Sequence, residues 1–184
     1  MMSLLSENMT PADIIIKNFG GLPMKNLPLH NVTKISNLRD VVKNRVKDFP
    51  DNPVFLHKVK GKIEKIMPDK FDKDIDALGT AFLSMVNKGA RVAILAETRY
   101  EWYVTYLATT NGTGCIVPLD KELHAEEIES MLERADVDIL VFAKSKIDIV
   151  RQVYGKVNTV KHYICMDKFV RISSSRTCFR TWCI

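Results

Sequence analysis

The chain has 184 residues, 46% hydrophobic and 27% charged, with a formal net charge of +5, the composition of an ordinary globular domain. No apolar run approaches the roughly 20 residues of a membrane-spanning helix, and four cysteines without a C-x-x-C pair exclude a zinc ribbon or a dithiol redox motif. The positive balance does not describe a nucleic-acid-binding face: Lys168, Arg171, Arg176 and Arg180 follow Asp167 with no acid among them, and without these four the charge is +1.

Residues 1–35 are weakly patterned, interrupted by Pro11, Pro23 and Pro28, and read as a lead-in segment. They carry no basic leader ahead of an apolar stretch, so a cytoplasmic protein is expected. "SNLRDVVKNRVKDFPD" places Leu38, Val41, Val42, Val46 and Phe49 on one helical face, with Ser36 or Asn37 as cap and Pro50 as stop. Two β-prone runs flank Lys60-Gly61-Lys62 and predict a hairpin. "KFDKDIDALGTAFLSMVNKG" is an amphipathic helix with Phe71, Ile75, Leu78, Phe82, Met85 and Val86 on its stripe and Gly89 as its terminator.

From Arg91 the pattern repeats. "RVAILAE", "CIVPL", "ILVFA" and "HYICM" are short apolar runs of the kind that parallel strands buried on both faces show. Helical segments separate them: "YEWYVTYLATTN", "AEEIESMLERAD" with Ile128, Met131, Leu132 and Ala135 inward, and "SKIDIVRQVYGKV". This alternation predicts an α/β fold, a partial doubly wound, mostly parallel sheet with helices on both faces, preceded by a helix and a β-hairpin.

"TNGTG" at 110–114 looks at first like a phosphate cradle. Such a cradle needs its glycines after a strand and before a helix, so that free N–H groups point at the anion. Here they follow a helix and precede a strand, so Gly112 reads as a helix stop and Gly114 as a point of close helix–strand packing. The strand-to-helix junctions, where a ligand sits in such a sheet, read "AETRYEW", "PLDKELHAEE" and "FAKSKID". None is glycine-rich and none sets a nucleophile beside a base. Lys121 and Lys144 are placed to meet an anion but read as solvated loop charges, and His30, His57, His124 and His162 lack ligand spacing.

Residues 36–166 nevertheless resemble the N-terminal region of the AMP-forming acyl-CoA synthetases, within the adenylate-forming superfamily. The pattern runs through Gly89, Arg91 to Ile94, Arg99, Glu101, Trp102, Gly112, Gly114, Pro118, Leu119, Glu122 and Ile128. "RYEWYVTYLATTNGTGCIVPLDKEL" is most similar to the long-chain fatty acid branch. Ala90, Thr98 and His124 depart from the usual pattern. The resemblance implies a family reaction in which ATP and Mg2+ activate a fatty acid as the acyl-adenylate and CoA then takes the acyl group. It supplies no catalytic, cofactor-binding or metal residue here, because no Ser/Thr/Gly-rich loop ending in Pro-Lys-Gly occurs. ATP, Mg2+, CoA and fatty acid are thus expected only through a missing remainder, and the chain alone is expected to be inactive. The matched positions imply scaffold roles: Trp102 as a buried aromatic, Arg99 and Glu101 holding a helix start, Pro118 ending a strand. Two other readings stand beside this one. A non-catalytic module could pair with a separately encoded remainder or subunit. A small flavodoxin-like binder is disfavoured by its lack of a glycine- or hydroxyl-rich junction.

The resemblance reads as stopping near Asp167, which divides the chain into 1–35, 36–167 and a basic Cys/Ser/Arg tail, 168–184. That tail reads either as non-native sequence, the favoured alternative, or as an extension with its own partner. A sheet with an open edge is also expected to self-associate.

Overall fold

The computed structural model describes residues 34–59, 61–167 and 180–181. Every described element lies in one compact unit, Ile35–Ile184. Most of the lead-in segment, residues 1–33, and most of the basic tail fall outside the described residues.

Helix α1 (Leu38–Asp48) opens on Asn37, whose side chain accepts the N–H of Asp40 at 3.0 Å. This satisfies one of the donors that every helix start leaves unpaired. The hairpin follows as β1 (Phe55–Val59) and β2 (Lys62–Ile66), antiparallel, with Phe55 opposite Ile66. Helix α2 (Pro68–Met85) starts with Pro68, where a missing N–H costs nothing. Its stripe is the predicted one: Phe71, Ile75, Leu78 and Phe82 are all buried.

The main sheet is built from β3 (Ala90–Leu95), β4 (Gly114–Pro118), β5 (Ile139–Phe142), β6 (His162–Cys165) and a two-residue β7 (Arg180–Thr181). Its order is β4-β3-β5-β6-β7 and every pairing is parallel. Helices α3 (Tyr100–Ala108), α4 (Ala125–Arg134) and α5 (Ile147–Val153) make the crossovers. Alternate strand residues serve opposite faces. Val92, Ile94, Ile139, Val141 and Ile164 join the core under α2 and α3. Ala93, Leu95, Leu140, Phe142 and Cys165 join the core under α4 and α5. The central strand β5 is therefore apolar at every position, and all four of its residues are buried. The expected α/β sheet, covered on both faces and preceded by a helix and a hairpin, is the architecture found.

Several local expectations are corrected. Helix α1 forms as expected with Asn37 as its cap, but of its apolar face only Val42 is buried, and Leu38, Val41 and the cap residue Phe49 are 46%, 44% and 51% exposed. Gly89 does not stop α2: the helix ends at Met85 with Val86 as its cap, and Gly89 sits in the turn into β3. In α4 Ile128 and Leu132 are buried as expected, but Met131 is 38% exposed and Ala125 is buried in addition. After α3 the chain does not stop at once but widens into a π-turn, Thr109–Thr113, in which Gly112 takes a φ of +155°. Gly114 does mark a close approach, but to a strand: a Cβ there would lie 1.9 Å from the carbonyl oxygen of Ala90 on β3.

The same region buries three hydroxyls that the apolar pattern did not flag. Thr105 and Thr109 each donate to the carbonyl four residues back, at 2.7 and 2.9 Å. Thr113 donates to Ala108 O, five residues back, at 3.1 Å, following the wider turn. Each buried hydroxyl is satisfied inside its own segment.

Candidate functional site

In an open α/β sheet, ligands bind beyond the carboxyl ends of the strands where successive connections diverge. From β3 the chain moves outward to β4, whereas from β5 it moves the other way to β6. The divergence therefore lies between β3 and β5. Its walls are Ala96–Arg99 after β3, Ala143–Lys146 after β5, and Asp167 after β6.

Side chains of the protein itself tie these walls together. Ser145 Oγ donates to the Glu97 carboxylate at 3.0 and 3.1 Å, joining the β3 and β5 loops. Asp167 accepts the backbone N–H of Lys144 at 2.7 Å and Arg99 Nη1 at 2.9 Å. Arg99 Nε reaches Glu101 at 2.6 Å. Arg99 is the N-cap residue of α3 and Glu101 lies in its first turn, but no side chain caps the helix start; the pair instead links that start to Asp167 at the end of β6.

The electrostatics follow the geometry. Hydrogen bonding to Glu101, then to Asp167, raises the Arg99 guanidinium above its ordinary value despite partial burial. Burial alone would raise the Asp167 carboxyl, but the Lys144 N–H and Arg99 outweigh it and hold Asp167 below the usual carboxylate range. Glu97 is also lowered, chiefly by its own backbone N–H. Beside this network Cys165 is buried, and burial pushes its thiol up, away from the reactive thiolate.

These groups do not fit a nucleoside triphosphate with its metal. The Lys144 N–H that could meet a phosphate is taken by Asp167, and both acids that flank Arg99 are paired with it. Among the described residues no group of three or more His, Cys, Asp or Glu could hold a metal ion. Lys121 lies beyond β4 and meets Glu122 at 3.4 Å. Two hollows, of about 430 and 350 Å3, lie at the other end of the sheet. The larger is walled by Asp138 and Lys161, already paired at 2.7 Å.

Of the residues singled out in the sequence, Trp102 is half-buried rather than buried and stacks on Tyr106 at 5.3 Å between ring centroids. Pro118 is the exposed last residue of β4, which among the described residues has a sheet neighbour on the β3 side alone, an ordinary place for proline. Asp167, Ser145 and Glu97 were not anticipated. Phe142 pairs with Cys165, so Lys144 and Asp167 both stand two residues beyond a register pair. That relation could be found only once the strands were aligned.

The comparisons agree with this architecture. A family model described as AMP-binding enzyme matches residues 42–177, ten residues past the point where the sequence resemblance was read to stop. No curated protein sequence matches. Among solved structures, a protein from Rhodopseudomonas palustris described as a long-chain-fatty-acid CoA ligase is similar with a TM-score of 0.65 and 23% identity. The match covers 80% of this chain and 38% of that one. The anthranilate CoA ligase AuaEII, in complex with anthranoyl-AMP, gives 0.64 at 13% identity, covering 73% and 26%. The N-terminal domain of FACL13 from Mycobacterium tuberculosis gives 0.63 at 15% identity, covering 71% and 34%. The chain thus spans from about a quarter to two fifths of the structures it resembles.

Proposed function

The chain belongs to the AMP-binding enzyme family, and from that membership we propose that it is the N-terminal part of the adenylate-forming domain of an acyl-CoA synthetase, of the long-chain fatty acid branch. In this reading the whole enzyme joins a fatty acid to CoA at the expense of ATP, and these 184 residues supply scaffold. ATP with Mg2+ would provide the leaving group that activates the carboxylate, held by residues outside this sequence.

The observation that carries the reading is the tied crevice. Catalysis of acyl transfer to a nucleotide requires donors aimed at charge that develops in the transition state. Here Arg99, Lys144 N–H and Ser145 are aimed at Asp167, Glu101 and Glu97. These contacts fix the relation of β3, β5, β6 and α3. We infer that the chain alone does not form an acyl-adenylate, that it works in the cytoplasm, and that any self-association runs through an open edge of the sheet.

The coding DNA beyond the Ile184 codon, translated in three frames, tests this. A Ser/Thr/Gly-rich loop carrying a lysine in any frame supports a parent ligase, and its absence from every frame overturns the assignment to a longer enzyme. Pyrophosphate release by the 184-residue chain, given ATP, Mg2+ and a long-chain fatty acid, is expected at the no-protein rate. Turnover above that rate would overturn the scaffold role.

A further inference from the structure

We draw no further inference here: the strongest candidate, the hollow of about 350 Å3 between α2 and the π-turn, where Asn111 Oδ1 is buried with no hydrogen-bond partner among the described residues, lies in a chain that spans only 26–38% of the structures it resembles, and nothing in the structure shows what fills or covers it.

Discussion

At Gly114 a single hydrogen atom decides whether two strands can pair. A methyl group there would stand 1.9 Å from Ala90 O and 2.8 Å from both Ala90 C and Ala90 N. All three are backbone atoms, so no side chain can swing aside. Gly114→Ala should therefore push β4 away from β3 and cost about 3 kcal/mol, at the upper end of ordinary overpacking. Gly112→Ala is the control. Its φ of +155° is strained for any L side chain, but nothing lies within 4 Å of the new Cβ, so the cost should be about 1 kcal/mol. Urea midpoints of the two variants check the order, and equal costs would mean that β4 yields freely. The sequence shows why such a site is hard to read. "TNGTG" announces two glycines between a helix and a strand, which is enough to dismiss a phosphate cradle. Which neighbour approaches Gly114 depends on the register of β3 and β4, and that register is a long-range fact.

Among the elements, burial separates those that carry the fold from those that decorate it. In β5, Ile139, Leu140, Val141 and Phe142 are all at most 1% exposed, with helices over both faces. Leu140→Ala opens a cavity under α4 and α5 and should cost about 2–5 kcal/mol, a large share of the roughly 5–15 kcal/mol that holds a domain. Leu38→Ala on α1 should cost less than about 1 kcal/mol, because that side chain is already 46% exposed. Thermal melts of the two variants would show the contrast, and a comparable loss for both would mean that α1 is part of the core. Periodicity made α2 legible because its stripe and its burial coincide. For α1 it gave the helix and its face but not the burial, because an apolar stripe states what a helix could bury, not what is there to bury it. The Lys43 contacts to Asp72 and Asp76 place α1 against α2, and only Val42 of its stripe reaches that interface deeply. The four main strands were legible from apolar runs bounded by helical segments, whereas two residues of β7 carry no pattern at all. The switch-point ties were illegible for a similar reason, since Glu97, Ser145 and Asp167 read singly as loop polar residues.

Across the whole sheet, one carboxylate fastens each end. At the amino ends Asp138 accepts Lys161 Nζ at 2.7 Å and the Arg91 N–H at 3.0 Å, joining β3, β5 and the entry to β6. At the carboxyl ends Asp167 accepts Lys144 N–H and Arg99. For both, burial opposes ionisation, yet the donors prevail and hold the folded carboxyl below its ordinary value. The unfolded chain binds protons at a higher pH, near 3.9 for an aspartate. The stabilisation is therefore fully present above that value and is lost as pH falls through the folded pKa. Acid should loosen both ends of the sheet within the same window, below about pH 4. Urea midpoints measured from pH 6 down to about pH 3 should fall steeply below that point for the parent chain. Asp138→Asn combined with Asp167→Asn should start lower at pH 6 and then fall less, because the asparagines keep an acceptor oxygen but have no proton to gain. The two sites lie at opposite ends of the strands and share no partner, so their effects at pH 6 should add. A double variant as acid-sensitive as the parent would show that the pH dependence comes from other carboxylates, and that the ends of the sheet are held by the ladder and the apolar faces alone.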